Sequence, residues 1–240
     1  MARPPSELKN TGYEIFIGML SILSIFNLVL LLALKDENLD TVLLVMNGVL
    51  SGIFMIDFVY RLMTATSRAD YFLRQYGWAD LLASLPIEQL KVLRVFRLLR
   101  VYRLMRLLGV KRIGRSLLKD RAGSALFTLL FAGVMVLEFG SLAILRYEQN
   151  AADGNIKSAS DAIWYVMVTI STVGYGDRFP TTNAGRVVGA LIIVIGVGIF
   201  GTFTGYLANF FLAPREADAA ADVDELPSEG DELSVEADAV

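Results

Sequence analysis

The sequence predicts an all-α membrane protein with six transmembrane helices. Three observations predict it. The chain is 55% hydrophobic with mean hydropathy +0.53. Four apolar runs are long enough, at about 1.5 Å per residue, to cross a hydrocarbon core of roughly 30 Å. A fifth apolar run carries arginine at every third position from Arg94 to Arg106. Lipid is therefore the solvent against which each element has to be satisfied.

The first run, Tyr13 to Leu34, is too long for the apolar core of a signal peptide and lacks a small-residue cleavage site, so it reads as a retained helix. Thr41 to Met63 is the second. Tyr76 to Ile87, short and carrying Asp80, and Val92 to Leu108, studded with arginine, are left undecided by hydropathy alone. Ala122 to Leu145 and Ala184 to Leu212 complete the set. With six crossings, Arg3, Lys9, Arg61, Arg68, Arg74 and the stretch Lys111 to Arg121 fall on one side, which then holds ten basic residues. The positive-inside rule makes that side, and both termini, cytoplasmic.

The net charge of −3 hides an asymmetry. From Arg215 onward there are ten acidic residues and one basic, whereas the preceding stretch is basic overall. Beyond Pro214 the acid- and alanine-rich stretch lacks apolar periodicity and is expected to be disordered. The chain has neither cysteine nor histidine, which removes thiol chemistry, Cys/His metal sites and the usual general base. An enzyme is not expected, nor is a cofactor or a nucleic-acid partner.

Between the last two long runs, Ser158 to Gly176 is too short to cross the membrane twice. It reads as a re-entrant helix, N-capped by Ser160 or Asp161 and running to about Ser171, followed by irregular backbone. Such backbone persists at membrane depth only where it is buried in protein or lines water, so the sequence points to a pore. The residues that follow are Thr172, Val173, Gly174, Tyr175, Gly176 and Asp177. Four Thr-Val-Gly-Tyr-Gly loops, with rings of backbone carbonyls replacing the ion's hydration shell, are the known construction of potassium filters. Aiming successive carbonyls at one axis needs alternating backbone handedness, which Gly174 and Gly176 adopt without a Cβ penalty. Thr172, Val173, Gly174 and Tyr175 are the expected K+ ligands. The negative end of the preceding helix dipole would favour a cation in the cavity.

Arg94, Arg97, Arg100, Arg103 and Arg106 are separated by apolar pairs. A spacing of three winds slowly around an α-helix and lines one face of a 3₁₀ segment. A surface-lying amphipathic helix would instead gather its arginines on one polar face. Each arginine at mid-membrane costs about 2.5–3.5 kcal/mol on insertion scales, so the five need partners, for which Asp57 and Asp80 are the candidates. Three charges per subunit crossing 100 mV in a tetramer would supply about 28 kcal/mol.

Taken together, Thr11 to Leu212 resembles the voltage-gated potassium channel family, in particular its prokaryotic six-transmembrane members. The resemblance implies a four-helix voltage sensor over 13–108, a linker helix over 109–121 and a pore domain over 122–213. These would be flanked by a cytoplasmic segment 1–12 and an acidic cytoplasmic tail 214–240. It implies that Trp164 hydrogen-bonds Asp177, with Tyr165 in the neighbouring aromatic place that is often a second tryptophan. An interfacial anchor is the alternative for Trp164. Phe54, Asp57 and Arg61 match the charge-transfer pattern of the second segment, and Asp80 and Pro86 match the acidic residue and the proline of the third. Gly189, Gly196 and Asn209 match positions in the last segment, Gly196 at the gating hinge, where hinge and close packing stay open. For Gly198, Gly201 and Gly205 packing is favoured. Thr202-Phe203-Thr204 stands where animal relatives carry Pro-x-Pro. Lys111 to Lys119 suits either sensor–gate coupling or a lipid-headgroup contact, anionic lipid included. Glu138 is an intramembrane carboxylate without a visible partner. Neither a soluble tetramerisation domain nor a cyclic-nucleotide-binding domain is expected, so assembly with three further copies would rest on the pore region. The expected function is a homotetrameric, depolarisation-opened potassium channel of the plasma membrane, in a prokaryote the inner membrane. A hyperpolarisation-opened or constitutively open channel and a non-conducting voltage sensor are the alternatives.

Overall fold

The structure, a computed structural model, describes residues 11–64, 81 and 121–212. Over these it is all-helical: α1 (Thr11–Ala33), α2 (Glu37–Thr64), α3 (Arg121–Glu148), the short α4 (Ala159–Ile170) and α5 (Asn183–Leu212). The four long helices are long and apolar enough to cross a membrane, which makes this a multi-pass membrane protein. The regions Tyr76 to Ile87 and Val92 to Leu108, the linker and the acidic tail lie outside the described residues, apart from Leu81. The chain divides into two units, one ending at Thr202 and the other starting at Phe203. The site lies in the first.

α2 and α3 extend at both ends slightly beyond their apolar runs, where polar residues lengthen them. Asp36 caps α2, its Oδ1 accepting the N–H groups of Asn38 at 3.1 Å and Leu39 at 3.3 Å, so the helix begins at Glu37, before the apolar run. Its Oδ2 accepts from Gln149 Nε2 at 2.7 Å, and Asn38 Nδ2 returns a bond to Gln149 Oε1 at 3.1 Å. The α1–α2 turn is thereby tied to the end of α3. The Gln149 amide and the two backbone N–H groups hold the Asp36 carboxyl below the usual range.

The first unit packs around α3 in two apolar clusters. Phe16, Ile17, Leu20 and Leu23 of α1 meet Leu50 and Phe54 of α2, with Phe127, Phe131 and Phe139 of α3 closing over them. Nearer the end of α3, Ile144 and Leu145 join Val42 and Met46 of α2, Ala162, Tyr165 and Val166 of α4, and Ile192 of α5. In lipid such contacts hold through close packing, since the surroundings are as apolar as the side chains. On α5 the large apolar residues Val187, Leu191, Val194 and Val197 stay exposed.

Candidate functional site

The site is built on α4. Its N-cap is Ser158, not Ser160 or Asp161, because Asp161 occupies the third helical position of a capping box. Asp161 N donates to Ser158 Oγ at 3.2 Å, and Asp161 Oδ2 accepts the N–H groups of Ser158 and Lys157, each at 3.1 Å. The signal was in the sequence as Ser-x-x-Asp. Burial by itself would raise the Asp161 carboxyl. The two N–H groups, the Ser158 side chain and Arg178, 2.9 Å from Oδ1, outweigh it and hold the carboxyl below its usual value.

At the other end Ser171 closes the helix, and the chain turns out while still bonded to it. Thr172 N donates to the Thr169 carbonyl at 3.0 Å, and Val173 N to that of Val168 at 3.1 Å. Every second residue then takes a left-handed backbone: Thr172 at φ 59°, Gly174 at φ 62° and Gly176 at φ 77°. The two glycines tolerate this freely. Thr172, β-branched, is strained by about 1–3 kcal/mol, a cost that surrounding structure has to offset. Thr172 is among the residues the sequence singles out, but its left-handed backbone is not, because nothing in its side chain signals that conformation. The side chains of Val173 and Tyr175 stand exposed.

The far end of this strand is braced twice. Trp164 Nε1 donates to Asp177 Oδ2 at 2.8 Å, and the Trp164 ring stacks on Tyr175, centroids 5.7 Å apart and planes within 5°. Tyr165 points elsewhere: it is buried, and a Cβ at Gly189 would lie 2.7 Å from its hydroxyl, so this ring packs on α5. From the other side, Asn155 Nδ2 donates to the Asp177 carbonyl at 3.2 Å and Asn155 Oδ1 accepts Phe179 N at 3.2 Å. Arg178 bridges the Asn155 carbonyl at 2.8 Å and Asp161. Asn155 and Arg178 were not singled out from the sequence.

Glu148, at the end of α3, caps α5. Its Oε2 accepts the N–H and hydroxyl of Thr181 at 2.9 and 2.7 Å, and its Oε1 those of Thr182 at 2.9 and 2.7 Å. Gly185 permits the approach, since a Cβ there would collide with Glu148 Oε1. Gly196 packs against the end of α4, where an added Cβ would sit 2.8 Å from Ile170 Cα. Gly198, Gly201 and Gly205 have nothing within 4 Å among the described residues.

Between α1 and α2 a second polar cluster forms. Asp57, fully buried, accepts from Tyr13 Oη and Arg61 Nε, each at 2.8 Å. Arg61 forks onto Glu14 with both contacts at 2.9 Å. Phe54 is buried nearby on the same helix. Glu14 and Tyr13 joined this cluster without a sequence signal. Asp80 and Arg94, Arg97, Arg100, Arg103 and Arg106 lie outside the described residues.

The family profile described as "Ion transport protein" matches residues 10–214. The chain is 36% identical over 99 residues to a calcium-gated potassium channel of Thermoplasma volcanium, covering 41% of this chain and 28% of that protein. It is 36% identical over 97 residues to a voltage-gated potassium channel of Aeropyrum pernix, covering 40% and 33%. It is 36% identical over 99 residues to a cyclic nucleotide-gated potassium channel of Mesorhizobium japonicum, covering 41% and 27%. The match thus spans about a quarter to a third of the length of these relatives.

Proposed function

Because this chain belongs to the ion transport protein family, we propose that it is a subunit of a potassium-selective, voltage-gated channel that conducts K+ passively across the plasma membrane. The observation that carries the reading is the left-handed alternation at Thr172, Gly174 and Gly176, directly after a short helix held between two membrane-spanning ones. Alternation of this kind is what turns successive carbonyls toward one line. Thr172, Val173, Gly174 and Tyr175 supply the K+ oxygens, and Asp177 with Trp164 fixes the outer end of the filter. The relatives' names agree on potassium and differ in what opens the gate.

One such loop cannot enclose an ion, so the reading requires a homotetramer of six-helix subunits. The exposed apolar residues of α5 and the open sides of Gly198 and Gly201 support an interface with further copies. Residues 13–108 form the sensor, with Arg94 to Arg106 as gating charges and Phe54, Asp57 and Asp80 along their path. Residues 109–121 couple it to the pore of 122–213, which bends at Gly196. Depolarisation opens the gate, and both termini are cytoplasmic.

Planar-bilayer recording of purified protein, stepping voltage in both directions with sodium substituted for potassium, tests this. A potassium-selective current that rises on depolarisation is expected. Equal sodium and potassium permeability rejects the filter reading. Selective current that opens on hyperpolarisation or ignores voltage replaces the gating assignment, and absence of current moves the chain to a non-conducting sensor. Exchange of Arg100 and Arg103 for Gln is expected to flatten the voltage dependence.

A further inference from the structure

Glu138 lies midway along α3, about 15 Å from Glu148 by helical rise, and is fully buried. Its two carboxyl oxygens make no hydrogen bond of normal geometry to any described residue. The same is true of both polar atoms of Asn27, fully buried on α1. The two side chains face each other. Their chain neighbours Phe26 and Phe139 bring ring centroids to 6.1 Å, so this stretch of α1 packs directly on this stretch of α3.

Nearby polar groups are already engaged. Ser24 Oγ donates to Asn47 Oδ1 at 3.2 Å, Asn47 Nδ2 to the Leu43 carbonyl at 2.8 Å, and Ser21 and Ser141 to carbonyls one turn back on their own helices. Among the described residues no charged side chain acts on Glu138. Among the described residues, four polar atoms on two facing side chains are thus left to satisfy one another, in surroundings without water to replace a missing bond.

A carboxylate cannot do this. It can accept an amide N–H, but it leaves Asn27 Oδ1 unpaired and a charge in the apolar interior. A carboxylic acid can, because it presents one O–H donor and one carbonyl acceptor to an amide that presents one of each. We propose that Glu138, in its acid form, and Asn27 close a cyclic pair of hydrogen bonds that pins the register of α1 on α3. In that pair the carboxyl O–H donates to Asn27 Oδ1 while Asn27 Nδ2 donates to the carboxyl C=O, and all four atoms are engaged. Fixing register is the best-attested use of a buried polar contact, and interhelical polar contacts serve it in membranes. Only the consequence rests on the proposed function: α1 belongs to the sensor and α3 to the pore, so the pair is a fixed joint between them.

The test is infrared spectroscopy of the full chain in lipid vesicles at neutral pH. The carbonyl stretch of a protonated carboxylic acid is expected, lost in Glu138→Gln and shifted toward that of an unbonded acid in Asn27→Leu. Glu138→Gln keeps one donor and one acceptor and so keeps the joint. Asn27→Asp, a second complementary acid, is expected to add a further protonated-acid band. If Glu138→Gln removes no such band, or the band is indifferent to Asn27→Leu, or Asn27→Asp yields only ionised carboxylates, the pair does not exist. The spectrum does not depend on conduction, so a non-conducting chain leaves this inference intact, and its failure leaves the channel reading standing.

Discussion

Trp164 holds Asp177 and Tyr175 at the same time, donating from Nε1 to Asp177 Oδ2 at 2.8 Å while its ring lies parallel to that of Tyr175 at 5.7 Å. The two contacts separate chemically. Trp164→Phe keeps an aromatic face for stacking and removes only the hydrogen bond. Bonds to charged groups contribute about 1.5–3 kcal/mol, and partial exposure of this one lowers that to about 1–2 kcal/mol, a fivefold to thirtyfold change in equilibrium. In the proposed channel, potassium current under sustained opening is expected to decline at least several-fold faster in Trp164→Phe, and faster still in Trp164→Ala. Currents indistinguishable from the parent would show that the indole N–H does not steady the filter.

Glu148 accepts four hydrogen bonds at the start of α5 and is fully buried. Removing it leaves two N–H groups and two hydroxyls without their acceptor. Glu148→Ala is expected to lower stability by about 2–4 kcal/mol, measured by thermal unfolding in detergent. Glu148→Gln is expected to lose less, since its amide oxygen can still accept.

Gly196 and Gly198 differ in surroundings although they lie two positions apart on one helix. Alanine at Gly196 meets the backbone of Ile170 and is expected to cost about 1–3 kcal/mol. Alanine at Gly198 meets nothing among the described residues and is expected to gain up to about 1 kcal/mol of helix stability. Thermal unfolding of the two variants in parallel checks both. A loss at Gly198 instead would mean that something beyond the described residues packs against it.

Acid should loosen the start of α4. The Asp161 carboxyl lies below its usual value in the folded chain, so it contributes stability that is present above the unfolded value of about 3.9 and is lost as pH falls through the folded one. Asp161→Asn is therefore expected to be less stable than the parent at neutral pH, with the gap closing below about pH 4. A gap that stays constant through that range would mean the carboxylate charge does not stabilise the cap.

The four described long spans and the glycine-bearing segment after α4 are legible in the sequence because their signals are local. A run of apolar residues needs only its own length to declare a crossing, and Gly174 and Gly176 announce left-handed backbone by lacking Cβ. Even the true cap of α4 was legible as Ser158 with Asp161. Helix ends were harder, since α2 begins where Asp36 caps it and α3 continues to Glu148, both beyond the apolar runs.

What only the tertiary structure decided is which side chains meet. Asp36 reaches Gln149 across 113 positions, Glu148 reaches Thr181 and Thr182, and Tyr165 turns to Gly189. In a water-soluble helix an apolar stripe marks the packed face. In lipid the outward face is as apolar as the inward one, so the period that would reveal helix rotation is erased, and the pairings follow only from how the helices pack.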